Sequence, residues 1–379
     1  MTHRPGPSTL SIHGPPHRGA DGDPAVTPIY QSSTFRMPAS GEVLYSRYGN
    51  NPNQVEVARR YAALEGAERS VFLSSGNAAT ALAHLAVLRP GDHLIASEWI
   101  YGGTRALFDQ EFVRHGISVT YVSPDQPREW RRAIRKTTRA IFVEALTNPL
   151  LRVVDLDAVS KVTRDRGLAL LVDGTFASPI NLRPLEHGAD VVITSATKYL
   201  GGHSDVIAGA VAGSAPFIDE VTRLMRNWGS ALDPHAAWLV ERGMKTLPLR
   251  IERHNANARE VANWALTRRE FQAVHWPGLE QHPDHATARA MLAGFGGLVG
   301  LQLDGAAAAA RLCARLEMIV HAPSLAGVES LISEPRLTSH AGLTAEQRTA
   351  LGIPDGFLRL SCGCEDARDI IRDLEQALS

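Results

Sequence analysis

Between residue 55 and about residue 240 the chain alternates short β-branched runs with helical patterns, and this alternation constrains the fold more than any other feature. "SVFL", "DHLIAS", "SVTYVS", "RAIFVEA", "LALLVDG" and "DVVITS" are apolar runs bounded by turn residues. Helical stretches such as "QVEVARRYAALEGA" and "DLDAVSKVTRDRG" lie between several of them. Strands that alternate with helices build a mostly parallel sheet covered on both faces. Ligands of such sheets bind beyond the carboxyl ends of the strands.

The flanks read differently. Residues 1–50 are rich in Pro, Gly, Ser and His and are expected to form an extended arm with little structure of its own. A large α/β domain over 51–250 follows. Near its end, "AAWLVERGMKTLPLRIERHNANAREVANWAL" reads as one long helix or a pair broken at Pro248. Over 251–379, "FGGLVGLQLDG", "MIVHAPSL" and "FLRLSCG" read as antiparallel strands, with "AAAAARLCARLE" and "DARDIIRDLEQAL" as helices, so a smaller α+β domain is expected there. With 379 residues there is room for two or three domains and an ample core.

Composition excludes several classes. Formal net charge is -1, which offers no attraction to nucleic acid or an acidic membrane. The N-terminus lacks the apolar stretch of a signal peptide, and no run approaches the ~20 residues of a membrane span; a cytoplasmic protein is expected. Cys313, Cys362 and Cys364 are an odd set without CxxC, which argues against a disulfide framework or structural zinc. Cys362 and Cys364, in "SCGC", read as small apolar residues of a strand. His275, His282 and His285 in "HWPGLEQHPDHATA" are spaced like a metal cluster.

Only four lysines occur: Lys136, Lys161, Lys198 and Lys245. Lys136 sits in the basic run "RRAIRKTTR" and Lys161 beside Arg164, Asp165 and Arg166, both as solvated charges. Lys245 follows Glu241 by one helical turn. Lys198 is different: "ADVVITSATKYLGG" delivers it directly from a buried-type strand, after the hydroxyls of Ser195 and Thr197. Gly201 and Gly202 allow a ligand to approach the backbone closely. A lysine shielded from water loses its proton more easily and attacks carbonyls.

The most common carbonyl partner of that kind is pyridoxal phosphate (PLP). It needs a lysine, an acid for the pyridine nitrogen, a phosphate cradle and a stacking ring. Candidates for all four are present. Asp173 ends "LALLVD", where a carboxylate can meet the ring nitrogen or simply form a turn. "SSGNAAT" (74–80) puts Gly76 at a strand-to-helix turn whose N–H groups suit a phosphate. Tyr101 in "YGGT" can stack on the ring or pack into the core.

Together these stretches resemble the Cys/Met-metabolism PLP-dependent enzymes: cystathionine γ-synthases, γ-lyases and β-lyases, methionine γ-lyases and homoserine-ester sulfhydrylases. The resemblance runs over nearly the whole chain, through "TPIYQSSTF", "YSRYGNNPN", "SSGNAA", "YGGT", "TNPLLRVVD", "VDGTFASP", "SATKYLGGHSDVIAG", "SLAGVESLI" and "LRLSCGCED" in family order. It implies the fold-type I PLP-dependent architecture and the following roles. Lys198 is the Schiff-base lysine and Asp173 the partner of the pyridine nitrogen. Gly76, Asn77, Ser195 and Thr197 bind the phosphate, and Tyr45 and Arg47 reach the phosphate of a neighbouring subunit. Tyr101 stacks on the ring and serves as an acid, and Asn148 lies near the ring hydroxyl. Ser324 and Arg359 hold the substrate's α-carboxylate, for which a guanidinium fork is the natural partner. It further implies an amino-acid substrate, a homo-oligomer (a tetramer built of dimers) with shared active sites, and no metal, since the family carries a similar "PGL…HP" loop without one.

The activity implied is γ-elimination from cystathionine or a relative. The same residues serve a γ-replacement enzyme, and more distantly a β-lyase, a methionine γ-lyase or an aminotransferase. Gly103 stands where methionine γ-lyases usually show cysteine. The sequence departs from the family pattern at Asn77, Gly174, the "ALTNP" run, the longer "YSRYGNNPN", Pro323 and Ala326 in "SLAG", without losing a catalytic group.

Overall fold

Seven strands form the main sheet: β1 (Arg69–Leu73), β2 (His93–Ser97), β3 (Ser118–Val122), β4 (Thr138–Glu144), β5 (Ala169–Asp173), β6 (Val191–Ser195) and β7 (Gly209–Gly213). In this computed structural model, which describes residues 5–15, 21–39, 41 and 43–379, their order is β1-β7-β6-β5-β4-β2-β3. Strands β3, β2, β4, β5 and β6 pair in parallel; β7 runs antiparallel to both β6 and β1. The alternating pattern is thus realised as a mostly parallel sheet. Successive side chains of β4 go to opposite faces. Ala140 and Phe142 join one core with Leu82 and Ala83, and Ile141 and Val143 join another with Val159 and Val162. Both faces are covered at the centre of the sheet, where β5 and β6 are almost wholly buried.

The second sheet has order β10-β11-β12-β9-β8, from β8 (Ala273–His275), β9 (Leu298–Gln302), β10 (Val320–His321), β11 (Leu331–Ser333) and β12 (Phe357–Ser361). One sequence expectation is corrected here. "MIVHAPSL" contributes only a two-residue strand, and it pairs parallel, not antiparallel, with β11. Strand β12 is central, paired antiparallel on both sides. That position carries Arg359 inward from a fully buried strand.

The stretch around Pro248 is a helix pair, Pro234–Met244 and Leu247–Ala265. The break precedes the proline, which sits in the first turn of the second helix, where its missing N–H costs nothing.

The arm is more structured than its composition suggests. Helix α1 (Pro7–His13) lies within it, with Pro7 opening it and Gly14 ending it. Leu10 and Ser11 are buried, and Arg60 of helix α2 (Pro52–Glu65) donates to the Ser11 carbonyl at 3.0 Å. The Pro and Gly that read as loop are helix ends. Further along, Asn51 and Asn53 hold the arm's backbone through Tyr30 and Pro28, and Asn50 holds it through Tyr45 and Val43. Residues 1–4, 16–20, 40 and 42 of the expected arm lie outside the described residues. Among the described residues no helix is long and apolar enough to cross a membrane.

Candidate active site

A cavity of about 750 Å³ opens at the carboxyl ends of β4, β5 and β6. Ten of the twelve residues singled out from the sequence line it: Gly76, Asn77, Tyr101, Asn148, Asp173, Ser195, Thr197, Lys198, Ser324 and Arg359. Tyr45 and Arg47 do not. Their short helical turn lies elsewhere, where Arg47 Nη1 donates to the Arg226 carbonyl at 2.8 Å and its guanidinium faces the rings of Tyr45 and Tyr48.

Lys198 follows β6 by three residues, and its backbone N–H bonds back to the Ser195 carbonyl. Nζ donates to Ser324 Oγ at 2.7 Å. Burial, helped by the Arg359 charge, pulls the Lys198 pKa down to about 8, so a neutral, nucleophilic fraction exists near neutral pH. The other lysines confirm the contrast. Lys136 and Lys161 are exposed, and Lys245 Nζ pairs with Glu241 at 3.1 Å.

Ser324 sits at φ 93° and Ala326 at φ 69°. Left-handed backbone costs a residue with a Cβ about 1–2 kcal/mol, and here it turns the Ser324 side chain towards Lys198. Ala326 is fully buried, with its N–H on Ser361 Oγ at 2.8 Å. Alanine therefore occupies a conformation that glycine adopts freely, the place where "SLAG" departs from the family.

Arg359 is 5 % exposed. Nη1 donates to Asn148 Oδ1 at 2.7 Å and Nη2 to the Ser324 carbonyl at 2.9 Å, while buried Nε has no partner. Burial lowers its pKa to about 10, with Tyr199 and Tyr101 acting against that, so the guanidinium stays charged at pH 7. A buried cation with neutral partners and one unmet N–H can receive an anion. The acids next to it in sequence are engaged elsewhere: Glu365 accepts from Ser330, and Asp366 lies 3.8 Å from Arg253.

Asp173 ends β5 as expected and also makes the turn: Oδ1 accepts the Thr175 N–H at 2.8 Å. Thr175 Oγ1 in turn accepts the Ser195 N–H at 2.8 Å, which fixes β5 to β6 at the cavity. Burial raises the Asp173 pKa, and the Thr175 bonds oppose it. Helix α3 (Gly76–Val87) starts at the cavity, capped by Ser75, whose side chain accepts from the Ala78 N–H. The N–H groups of Gly76 and Asn77 have no intrahelical partner, by helix geometry. A Cβ at Gly76 would lie 2.9 Å from Ser195 Cβ, so glycine is what brings this helix end against the Ser195 hydroxyl. Thr197 Oγ1 bonds the backbone of Ala208. These groups line the cavity at a helix N-terminus, where backbone N–H groups can receive an anion. Tyr101 precedes helix α4 (Gly102–Ala106) and lines the cavity while remaining 43 % exposed.

Two expectations need correction or addition. Gly201 and Gly202 do not line the cavity. A Cβ at Gly202 (φ 72°) would meet the Arg250 guanidinium, which donates to the Tyr199 and Gly243 carbonyls, so the close approach is by Arg250 and not by a ligand. Sequence reading also missed Ser75, Glu144, Thr175 and the stretch Leu337–Ser339, all of which line the cavity. Ser75 before a helix and Thr175 two residues after Asp173 carry recognisable cap and turn signals; Glu144 and Leu337–Ser339 carry none.

His285 Nδ1 faces the Pro277 carbonyl and His282 Nδ1 the Asp284 N–H, so these rings serve their own loop. Among the described residues the grouped metal-type donors are Cys313, His321 and Glu334, within 4.8 Å of one another. None lines the cavity, and Arg336 already pairs with Glu334. Cys362 is buried in the core against the second sheet, and Cys364 Sγ lies 3.8 Å from His254 Nε2.

The family model for Cys/Met metabolism PLP-dependent enzymes matches residues 8–379. The chain is 42% identical over 383 residues to cystathionine gamma-synthase of Mycobacterium bovis, covering 98% of this chain and 97% of that one. It is 38% identical over 377 residues to cystathionine gamma-lyase of Bacillus subtilis, covering 98% of each. The crystal structure of metB from Corynebacterium glutamicum superposes with a TM-score of 0.94 at 38% identity, over 99% of this chain and 98% of that one.

Proposed function

The chain belongs to the Cys/Met metabolism PLP-dependent enzymes, and from that membership we propose a carbon–sulfur lyase that removes the γ-substituent of cystathionine or a related amino acid. With one water, the products are an α-keto acid, ammonia and a thiol. The observation that carries this reading is a buried lysine of lowered pKa, bridged by Ser324 to a guanidinium with an unmet N–H, all in one cavity.

The cofactor, when bound, supplies an electron sink that lets a proton leave the substrate's α-carbon. The residues present fit it. Gly76, Asn77, Ser195 and Thr197 offer the phosphate cradle, Asp173 an acid for the ring nitrogen, Tyr101 a stacking ring, Asn148 an amide near the ring hydroxyl and Lys198 the covalent anchor. Arg359 and Ser324 would orient the substrate's carboxylate, placing the α-hydrogen within reach of Lys198 Nζ. Lys198 then takes and returns that proton, and Tyr101 serves as acid for the departing thiol. Elimination requires no second amino acid. A Cβ at Gly103 would fall 2.4 Å from Tyr101 Cε1, so a side chain there, such as the cysteine usual in methionine γ-lyases, would displace the tyrosine ring.

γ-Replacement is the second reading, favoured by the 42% identity to a cystathionine gamma-synthase. Mass-spectrometric product analysis separates the two. Incubation with cystathionine should release a four-carbon keto acid and cysteine. Pyruvate and homocysteine would indicate β-elimination instead. Cystathionine made from an O-acylhomoserine and cysteine, without breakdown of cystathionine alone, would replace the lyase reading with the synthase.

The same reading includes a homo-oligomer, a tetramer built of dimers, in which Tyr45 and Arg47 serve a neighbour's phosphate. Their place outside the cavity of their own chain supports it. Mixing inactive Arg47→Ala with inactive Lys198→Ala subunits should restore part of the activity, because a mixed dimer contains one intact site. No recovery despite proven subunit exchange would count against shared sites.

A further inference from the structure

Glu144 has no role in the scheme above, yet it lies at the centre of the site. It ends β4 and pairs in register with Asp173 at the end of β5. Parallel neighbours lie about 4.8 Å apart, and both residues line the cavity. Two desolvated carboxylates side by side do not both ionise at neutral pH. The cations lining the cavity, Lys198 and Arg359, are bonded to Ser324 and Asn148, not to either acid.

The two acids are also held differently. Asp173 Oδ1 accepts from its own turn, at Thr175. Glu144 Oε1 accepts the backbone N–H of Tyr101 at 2.5 Å, across 43 residues of chain. That bond ties the end of β4 to the start of α4, the turn that presents the Tyr101 ring.

We propose that Glu144 is a positioning residue: it carries the proton of the Glu144/Asp173 pair and, uncharged, anchors the turn that aims Tyr101 into the site. Asp173 is thereby left as the single anion for the ring nitrogen, which rests on the role given to Asp173 above. Burial first, and the Asp173 charge second, raise the Glu144 pKa well above the carboxylate range, against the N–H groups of Tyr101 and Asn148. The direction agrees with the geometry.

Glutamine keeps an acceptor and the neutral charge; alanine keeps neither the tie nor the bulk. Infrared difference spectra of the holoenzyme should show a protonated-carboxyl C=O band that is lost in Glu144→Gln and persists in Asp173→Asn; buried Glu65, whose pKa is also raised, to about 8, contributes equally to all three proteins and cancels in the difference. Cofactor dissociation, measured by dialysis and absorbance, should change less than about threefold in Glu144→Gln and accelerate roughly tenfold in Glu144→Ala, the loss of one buried hydrogen bond. Because the effect runs through Tyr101, Glu144→Ala should add little in a Tyr101→Ala background. Absence of the band in the wild type, its persistence in Glu144→Gln, or full additivity with Tyr101→Ala would each overturn the proposal. The Asp173 reading fails separately, if Asp173→Asn binds cofactor as tightly and with the same absorbance as the wild type.

Discussion

Lys198→Ala should abolish turnover and leave any bound cofactor without a covalent link. No other lysine can replace it: two are exposed and the fourth is paired with Glu241. Loss of a positioned general base alone costs about 10²–10⁴-fold, and loss of the covalent anchor comes on top. The fold should survive. Removing a mostly protonated amine next to Arg359 relieves charge repulsion, and Ser324 Oγ loses a donor at a cavity that admits water. The check is borohydride reduction followed by peptide mass spectrometry, with circular dichroism for the fold. A reduced cofactor adduct in the variant would show that another residue holds it.

Arg359→Ala should lower kcat/KM by one to two decades, chiefly through KM, while cofactor binding changes little. A charge-assisted bond to a carboxylate is worth roughly 1.5–3 kcal/mol. The pairing alternative, in which Arg359 serves a protein acid, is contradicted by its neutral partners Asn148 and Ser324. Arg359→Lys should recover little, because an ammonium cannot present the planar fork. Truncation also releases Asn148 Oδ1 and the Ser324 carbonyl, so a loss somewhat beyond the bond itself is expected. Unchanged efficiency on an amino-acid substrate, with cofactor bound, would remove Arg359 from the site.

The positions of Lys198 and Arg359 are legible in the sequence because each lies on a strand-type run or directly after one, while the carboxylate-binding role of Arg359 is implied only by the family resemblance. Strand ends are local features, written in β-branched runs and the turn residues that close them. Asp173, Gly76 and the hydroxyls Ser195 and Thr197 were legible for the same reason. The arm was misjudged because Pro and Gly mark helix ends as well as loops, and only burial against α2 shows which holds for α1. The glycine pair after Lys198 was misread because the group that needs the space, Arg250, arrives from a helix some fifty residues on.

What the sequence determined by itself is the set of elements and the chemistry at their ends: an alternating strand–helix chain, a lysine after β6, an acid on β5 and a glycine at a helix start. What the tertiary structure alone decided is which of these meet. Ser324 reaches Lys198 across 126 residues and Arg359 reaches Asn148 across 211. Glu144 comes to stand beside Asp173 only because β4 and β5 pair in that register. Periodicity sets which way a side chain faces within its own element. Contacts between distant elements depend on loop closure and packing, whose free energies belong to the whole chain and leave no mark in any short stretch of it.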